Sequence, residues 1–362
     1  MKIALLHDFF AEPGRSGGGE KLALLLAKIF NADIYTGFAE SGFEGLENFS
    51  VTQLSKKSFS GFRTINIMKS FERLKLENYD FFIFSGTNCI TASARNKPNI
   101  LYMHTPPRYL YDMREWYNKH TNIFGRAGLF YLRRYVYPRD QFYVKQLDRI
   151  VTNSETVRKR ISQYYGEDVF KKSKAVYSFV DNKKYHYREP KDYYVSNARL
   201  DPLKRVDLIV KAFCEMPNKK LVVISTGPEM DKIKKIASGH DNIEIRGWVP
   251  ENEMIDIMSR CICTIQMPIN EDLGLGAIES MACGKPCIGA NEGGLTETIV
   301  KNRTGLLINP TIDEIVKSIN FMTPEKSKSM KNACIQRANK FSKNNFIRTF
   351  KKEVEDTLSK IK

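Results

Sequence analysis

The 362-residue sequence lacks any apolar run close to the ~18 residues that a membrane-spanning helix requires. It also lacks internal repeats and low-complexity tails, and its start, MKIALLHDFF, is typical of a first β-strand rather than a secretion signal. Seven cysteines form an odd set in mostly apolar segments, which favours free core thiols in a reducing compartment. Cys283 and Cys287 invite a zinc interpretation, but no nearby cysteine or histidine pair completes a four-ligand set. We therefore expect a cytoplasmic protein without a structural metal.

Acidic residues are scarce relative to basic ones, and the formal net charge is +16. Residues 51–150 contain 17 Lys and Arg against 7 Asp and Glu, so attraction to phosphates or to an anionic membrane follows, although a solvated lysine-rich surface explains the same excess. Residues 109–143 add 11 aromatic residues, which indicate either helices packed on a sheet or a face that meets a membrane surface. Nucleic-acid binding has no helix-turn-helix or RNP-like motif to support it.

What the sequence does contain is an alternation of short apolar runs with amphipathic stretches, typical of βα units in parallel sheets. One series occupies the first 154 residues, and a second begins near residue 192, after the polar, Lys- and Tyr-rich stretch 181–194. The chain is also well above the length of one typical domain. The pattern therefore predicts an α/β protein with two Rossmann-like, doubly wound domains.

Two acidic residues, Glu271 and Glu279, flank a segment that contains Gly274 and Gly276. The glycines follow the strand-like CTIQMP and predict a loop that opens a helix, whose first N–H groups favour an anion. Glu279, about one turn into that helix, could accept hydrogen bonds from a ribose, and Glu271 lies nearer the group attached to the anion. Both glutamates could equally be solvated charges at a helix start.

Two basic residues, Arg199 and Lys204, lie at the end of a predicted strand, with Pro202 fixing the turn between them. A pair of cations at a strand end suits a diphosphate, whereas the alternative is a capping turn with solvated bases. No Asp-x-Asp pair stands where a divalent cation would be expected. We therefore expect no metal or other cofactor, because the cations and the helix N-terminus can supply the positive charge.

The first half of the chain offers weaker candidates. The glycines of the loop Pro13–Glu20 allow positive φ or close approach to a ligand, and a flexible turn explains them equally well. His104 ends the predicted strand NILYMHT and could hydrogen-bond a sugar hydroxyl, or it could be a satisfied core histidine. Arg108 and Tyr109 follow on a loop stiffened by two prolines, and they are candidates for acceptor binding.

The order of motifs in the second half resembles glycosyltransferase family 4 and covers most of that half. The motifs are Arg199-x4-Lys204, Gly227-Pro228 after KLVVIST, Gly247-Trp248-Val249, Glu271-x7-Glu279, MACGKPCI and EGGLTE. The first half, with HDFF, GGGEKLALLLAKIF, YMHTPPRYLYD and TNSETVRKRISQYYG, is similar to WbaZ-like mannosyltransferases of O-antigen assembly. The resemblance implies the GT-B fold, in which two Rossmann-like domains face a central cleft. It also implies retaining chemistry, with front-face attack by an acceptor hydroxyl.

Domain limits and residue roles follow from the same resemblance. It implies an acceptor-binding domain at 1–185 and a nucleotide-sugar-binding domain at 186–339, with a helix at about 340–362 that packs back on the first. The catalytic set would be Arg199, Lys204, Glu271 and His104. The donor-binding set would be Gly18, Gly19, Gly227, Leu273, Gly274, Leu275, Gly276 and Glu279. Family members often read Glu-Gly-Phe-Gly where this chain has Asp272 after the first glutamate, so that carboxylate either tunes the hexose choice or faces solvent.

The resemblance implies transfer of a hexose, with mannose from GDP-mannose favoured, to a glycan or lipid-linked saccharide in cell-surface polysaccharide or O-antigen assembly. Such an enzyme would work in the cytoplasm, with peripheral contact at the inner face of the plasma membrane. The alternatives are a UDP-hexose transferase, a sugar-nucleotide epimerase or a non-catalytic sugar-nucleotide binder. Paired carboxylates of a glycoside hydrolase would flank one bond, whereas one of these two glutamates is better placed for a ribose.

Overall fold

A computed structural model describes residues 1–10, 18–40, 43–56 and 60–360. The chain divides into two compact units. The N-terminal unit contains residues 1–176 together with 349–362, and the C-terminal unit contains residues 177–348. The last helix therefore contributes its residues up to 348 to the C-terminal unit and its remaining residues to the N-terminal unit.

The N-terminal unit is a parallel sheet with helices between successive strands. Its strands are β1 Ile3–Phe10, β2 Asp33–Ala39, β3 Val51–Gln53, β4 Phe81–Ser85, β5 Asn99–Met103, β6 Arg149–Thr152 and β7 Ser173–Ala175. Its helices are α1 Gly18–Phe30, α2 Ser60–Arg73, α3 Arg114–Lys119, α4 Ile123–Lys145, α5 Glu155–Tyr165 and α6 Glu167–Lys171. Short 3-10 helices occupy Leu46–Asn48 and Cys89–Ala92.

The C-terminal unit repeats this plan with shorter strands. They are β8 Tyr194–Ser196, β9 Leu221–Val223, β10 Ile243–Ile245, β11 Thr264–Gln266, β12 Cys287–Ala290 and β13 Gly305–Ile308. Its helices are α7 Val206–Cys214, α8 Met230–Ala237, α9 Glu251–Arg260, α10 Leu275–Ala282, α11 Leu295–Thr298, α12 Ile312–Phe321 and α13 Pro324–Asn339. Helix α14 is Lys343–Ser359, and 3-10 turns occupy Asn182–Lys184 and Pro202–Lys204.

Both sheets have a reversal of strand order near the middle. The first runs β3-β2-β1-β4-β5-β6-β7 and the second β10-β9-β8-β11-β12-β13. All the strand pairs in both sheets are parallel. In such doubly wound sheets, ligands bind outside the carboxyl ends of the strands where the order reverses. These positions are β1 beside β4 in one unit and β8 beside β11 in the other.

The predicted α/β class with two doubly wound sheets is confirmed. Central strands such as β4 and β5 are buried along their whole length, which explains their unbroken apolar runs. Two strands that the pattern did not reveal, β3 and β7, have three residues each and lie at the sheet edges. Their polar residues leave little apolar periodicity to detect.

Helix starts differ in a way that matters for the site. Helix α5 is capped by Ser154, whose hydroxyl accepts from the Val157 N–H at 3.0 Å. Thr311 and Thr323 cap α12 and α13 in the same manner. Helices α7, α8, α9 and α11 lack a side-chain cap. Helix α10 lacks one too, because it follows Gly274, which has no side chain and a φ of 88°. Its first N–H groups are therefore not satisfied by a cap of its own.

No helix in the described part of the chain is both long and apolar enough to cross a membrane. All seven cysteines are free, and six of them are buried, as expected for core thiols. Burial raises the pKa of the Cys263 thiol well above its ordinary value.

Candidate functional site

The C-terminal unit places Gly276, in the first turn of α10, at the reversal point of its sheet. Gln266, at the end of β11, donates from its amide to Asn197 just after β8, at 2.7 Å. Helix α10 packs directly against this pair, because a Cβ on Gly276 would lie 2.1 Å from the Gln266 Nε2 atom. A glycine is therefore required there for α10 to begin this close to the strand ends.

The loop before α10 is held by tight packing. A Cβ on Gly274 would lie 2.4 Å from the Leu295 side chain, and the left-handed backbone at Gly274 independently favours glycine. Leu273 is buried in the core, and its carbonyl accepts from the Thr298 hydroxyl at 2.5 Å. The Leu273 side chain therefore anchors the loop, while the backbone that includes Leu275 and the other helix-opening residues is the part that a ligand could approach.

Lys204 and Glu271 lie in contact, although they are 67 positions apart in the chain. The Lys204 Nζ and a Glu271 carboxylate oxygen are 2.5 Å apart, and the side chains are 33% and 20% exposed. Lys204 ends the 3-10 turn that Asp201 caps by accepting from the Leu203 N–H at 3.0 Å. Arg199, at the start of the same segment, is exposed. The turn thus presents the Lys204 ammonium group to one of the two predicted glutamates.

Arg205 joins the two halves of this site, and sequence reasoning missed it. Its guanidinium donates to the carbonyls of Met267 and Pro268 at 2.6 and 2.8 Å, and it pairs with Glu292 at 2.9 Å. Arg205 also has a left-handed backbone, with a φ of 49°. It fixes the Pro202–Lys204 turn against the segment that leads to Glu271. In the sequence, Arg205 directly follows Lys204, and nothing in that position distinguishes it from other surface arginines and lysines.

The EGGLTE segment closes on the Glu271 loop through two glycines. The Gly294 N–H donates to the Glu271 carbonyl at 2.7 Å, and a Cβ on Gly293 would lie 2.4 Å from the same oxygen. Gly294 similarly lies against the Asp272 carbonyl. Asp272 is half-buried, so the interpretation that it merely faces solvent does not describe it fully. The backbone of the Glu271 segment is therefore held in place, while the Glu271 side chain remains 20% exposed.

Glu279 is half-buried on α10 and contacts Tyr185, a residue that sequence reasoning did not select. Burial, and after it the Glu279 charge, raise the pKa of the Tyr185 hydroxyl, so it remains a neutral donor to that carboxylate. Tyr185 lies in the Lys- and Tyr-rich stretch 181–194, whose composition does not distinguish this tyrosine from its neighbours. Gly227, which was also predicted to bind the nucleotide-sugar donor, follows β9. A Cβ added to Gly227 would lie 2.3 Å from the Leu200 carbonyl.

The MACGKPCI segment contains a buried cation with a structural role. Lys285 is fully buried and donates to the Arg188 carbonyl at 2.8 Å, with its Nζ 4.4 Å from the Tyr187 ring centre. Burial lowers the pKa of the Lys285 ammonium to about 8. Its contacts fix the chain before β8 to the turn after α10.

In the N-terminal unit, His104 lies next to the start of α1. A Cβ on Gly19 would be 3.7 Å from the His104 Nε2 atom, and Gly18 is the exposed first residue of α1. Burial, followed by the nearby His7 charge, lowers the pKa of His104 to about 4, so its ring is neutral at physiological pH. Its buried Nε2 has no hydrogen-bond partner among the described residues. The earlier part of the glycine loop, residues 11–17, lies outside those residues.

Asp8 at the end of β1 is, by contrast, fully engaged in structure. Its carboxylate accepts from the backbone N–H groups of Thr87, Asn88 and Cys89 at 2.8–3.1 Å, where the 3-10 helix Cys89–Ala92 begins. The Nδ1 atom of His7 lies within hydrogen-bonding distance of the Ser85 carbonyl. The switch point of this sheet is therefore filled by its own side chains.

The two acceptor candidates are also engaged within their own segment. Arg108 forms an ion pair with Asp112 at 2.8 Å, one helical turn later in sequence. The Tyr109 carbonyl accepts from Arg133 on α4 at 2.8 Å, and burial raises the pKa of the Tyr109 hydroxyl. Their role in acceptor binding stays a prediction.

Comparison with known proteins bears on the C-terminal unit most directly. Residues 179–341 match the family described as glycosyl transferases group 1. The match covers most of the C-terminal unit and less than half of the whole chain. A Bacillus anthracis protein, N-acetyl-alpha-D-glucosaminyl L-malate synthase, is 29% identical over 154 residues, which are 37% of this chain and 39% of the relative. The alpha-1,3/1,6-mannosyltransferase ALG2 of Dictyostelium discoideum is 39% identical over 89 residues, 24% of this chain and 21% of that protein.

The match to these curated relatives thus spans less than two fifths of their length. A solved structure, Anabaena HepE in complex with UDP and glucose, covers 99% of both chains with a TM-score of 0.74 and 17% identity. At that identity the likeness shows the fold alone. The two parallel α/β sheets form the GT-B fold, as the resemblance implied.

Proposed function

We propose that the protein is a retaining glycosyltransferase that moves a hexosyl group from a nucleoside-diphosphate sugar to a saccharide acceptor. The observation that carries this proposal is the meeting of Lys204 with Glu271 beside the glycine-opened start of α10. A helix N-terminus without its own cap attracts an anion, and two nearby cations add charge that suits a diphosphate. The match of residues 179–341 to glycosyl transferases group 1 supports the same activity.

Each residue then has a chemical task. The bond between the anomeric carbon and the β-phosphate oxygen breaks, and the departing diphosphate gains negative charge. Arg199, Lys204 and the N–H groups of α10 stabilise that charge as it develops. The acceptor hydroxyl forms the new bond and gives its proton to the leaving phosphate. Glu271 binds hydroxyls of the hexose, and Glu279, oriented by Tyr185, binds the ribose.

In the N-terminal unit we assign a sugar-binding role to His104. Its neutral ring has a buried Nε2 atom that lacks a partner among the described residues, beside the first turn of α1. A neutral imidazole can donate from one nitrogen and accept at the other, which suits a sugar hydroxyl. Gly18 and Gly19 leave room for close approach to that turn.

For the donor we favour GDP-mannose, on the sequence likeness of the first half to mannosyltransferases of O-antigen assembly. A mannosyltransferase is also among the relatives of the second half, although an N-acetylglucosaminyl enzyme is too. A panel of GDP-mannose, UDP-glucose, UDP-GlcNAc and UDP-galactose decides between them. The expected result is that GDP-mannose raises the melting temperature most, because a ligand stabilises the state that binds it. Equal stabilisation by all four would contradict the mannose assignment.

Transfer itself is tested by the release of free nucleoside diphosphate. Release that requires an added saccharide or lipid-linked saccharide supports a transferase. Donor binding without any release would support a non-catalytic binder, and isomerisation of the sugar without release would support an epimerase. The same assay shows whether added EDTA lowers the rate, which the assignment of charge stabilisation to Arg199 and Lys204 predicts it will not.

We also propose peripheral contact with an anionic membrane through the exposed side of α4. Phe124, Tyr131 and Phe142 are 85%, 70% and 54% exposed, and their spacings of seven and eleven residues place them on one side of the helix. Aromatic side chains suit the headgroup region, and the basic excess of residues 51–150 suits anionic lipid. Binding to phosphatidylglycerol vesicles should weaken with salt and with Phe124→Ser, and an absence of binding at low salt would contradict it.

A further inference from the structure

A groove of about 730 Å³ lies in the N-terminal unit between α4 and the segment that precedes α3. Its walls combine Leu110, Phe130 and Tyr137 with Arg114, Arg133 and Arg134. Its volume falls within the range of roughly 300–1,000 Å³ that is typical of ligand sites. It is distinct from the α4 side that carries Phe124 and from the strand ends described above.

The apolar part of the groove is left open to solvent. Phe130 is 60% and Tyr137 is 49% exposed, and the two are seven residues apart, so they lie on one stripe of α4 with Arg134 between them. Contiguous exposed aromatic surface of this kind marks a binding surface more often than an isolated exposed side chain does. Leu110, which is buried, forms the floor beneath it.

The three arginines divide into one that builds the groove and two that are available to a ligand. Arg133 donates to the Tyr109 carbonyl at 2.8 Å, to Asn118 at 2.6 Å and to the Arg114 carbonyl at 3.1 Å. These hydrogen bonds connect α4 to the opposite wall of the groove. The side chains of Arg114 and Arg134 are exposed and have no hydrogen-bond or ion-pair partner among the described residues.

The groove therefore gathers positive charge without an internal counter-ion. Arg114, Arg133 and Arg134 line the same groove, and like charges gathered in this way repel each other. In keeping with this, burial, and after it the Arg114 charge, lower the pKa of the Arg133 guanidinium. Of the two acidic residues nearest to Arg114 in sequence, Asp112 is paired with Arg108, and Glu115 is exposed and is not among the residues that line the groove. An anion placed between the guanidinium groups would relieve the repulsion and accept charge-assisted hydrogen bonds.

We propose that this groove binds an anionic amphiphile, with a phosphate head held by Arg114 and Arg134 and a hydrocarbon chain laid on Phe130 and Tyr137. A lipid phosphate has both an anionic head and a hydrocarbon chain. The paired guanidinium groups suit the head and the apolar stripe suits the chain, so the combination matches a lipid phosphate better than it matches a free phosphate or a hydrocarbon. On the proposed transferase function, which this assignment deepens, the amphiphile is the lipid-linked acceptor. The groove then holds the lipid end of the acceptor.

The test uses dodecyl phosphate below its critical micelle concentration, with the full-length protein and isothermal titration calorimetry. We expect saturable binding that inorganic phosphate and neutral dodecyl maltoside do not reproduce. The double variant Arg114→Gln/Arg134→Gln should bind about tenfold more weakly or worse, because it loses both charge-assisted contacts. The matched control Lys119→Gln/Lys159→Gln removes two exposed charges of the same unit outside the groove and should bind within about twofold of wild type.

Phe130→Ser, at an exposed position, tests the chain site separately and should also weaken binding of dodecyl phosphate. Unchanged binding in both groove variants would overturn the proposal, as would equal binding of dodecyltrimethylammonium. Displacement of dodecyl phosphate by a single-stranded oligonucleotide would assign the surface to nucleic acid instead.

Stabilisation of wild-type protein by the donor nucleotide is measured in parallel. If the wild type binds the donor nucleotide but not dodecyl phosphate, the groove proposal alone is overturned. If the wild type binds dodecyl phosphate but is not stabilised by any donor nucleotide, the proposed function alone is overturned.

Discussion

The two sheets share a strand order around their reversal points, yet they use those points differently. In the N-terminal unit the position beside β1 and β4 is occupied by Asp8, which is 8% exposed and accepts several backbone hydrogen bonds. In the C-terminal unit the position beside β8 and β11 holds neutral Asn197 and Gln266, and its charged residues lie on the loops above. The N-terminal sheet uses its switch-point carboxylate for structural hydrogen bonds. The charged residues beside the C-terminal sheet remain partly exposed to solvent.

The difference teaches how one fold can divide its tasks. A carboxylate that is saturated by backbone donors cannot respond to a ligand, because every acceptor position already has a partner. A partly exposed ion pair such as Lys204 with Glu271 can exchange partners at small cost, since surface pairs contribute only about 0–1 kcal/mol. We therefore expect substitutions in the C-terminal unit to change activity and those among the buried charges of the N-terminal unit to change stability.

The largest effect is expected for Lys204→Ala. Removing a cation that stabilises a leaving diphosphate should lower kcat/KM on the order of 10²–10³-fold, while the melting temperature changes little because the pair is partly exposed. Lys211→Ala is the matched control, since Lys211 forms a surface pair with Asp207 at 3.6 Å on α7 of the same unit. Wild-type rates in Lys204→Ala, measured as nucleoside-diphosphate release, would remove the assignment of the C-terminal site.

The opposite behaviour is expected for Glu353→Ala in the N-terminal unit. Glu353 is fully buried on α14, and its carboxylate lies 2.5 Å from both Arg149 and Lys174. Removing one partner of a buried pair costs about 3–5 kcal/mol, and partial exposure of both bases places the expected loss near 3 kcal/mol. Denaturant unfolding measures it, with the exposed Glu355→Ala on the same helix as control. Equal stability of the two variants would show that the buried pair contributes nothing.

A pH test sharpens the comparison further. Burial raises the pKa of Asp140 on α4 from 3.8 to about 6, although a hydrogen bond from Tyr111 opposes the shift. The folded state therefore retains a proton that the unfolded chain loses, so this contribution to stability is present at low pH and is lost as pH rises through about 6. Relative to Asp140→Asn, the wild type should lose roughly 2–3 kcal/mol between about pH 4 and 7.

The exposed Asp168→Asn is the control for this titration, because it changes the same chemical group on α6 without burial. The measurement is the unfolding free energy of the three proteins across the pH range. A difference between wild type and Asp140→Asn that stays constant with pH would show that Asp140 keeps its ordinary acidity.

Apolar periodicity was sufficient to predict both sheets, because buried parallel strands are continuous hydrophobic runs. It missed β3, whose Thr52 and Gln53 are exposed at an edge. For the functional site, the order of glycines and charged residues in the sequence predicted the loop before α10. The contributions of Arg205 and Tyr185 could not be predicted, because each depends on a partner that lies far away in sequence. Long-range pairing of this kind is decided by tertiary packing and leaves no local pattern.

The smallest effect is expected for His104, a residue of the N-terminal unit whose ring nitrogen is buried and to which we assign a role in sugar binding. The variant His104→Gln keeps a hydrogen-bonding side chain, so we expect kcat/KM to fall about tenfold, the value of roughly one hydrogen bond. Because burial lowers the pKa of His104 to about 4, the ratio of wild type to variant should stay constant from about pH 5.5 to 8. His120→Gln, at an exposed histidine stacked on Trp116, should leave activity unchanged. A ratio that titrates near the ordinary histidine pKa would mean that His104 works as a cation, and its proposed role as a neutral partner of a sugar hydroxyl would be wrong.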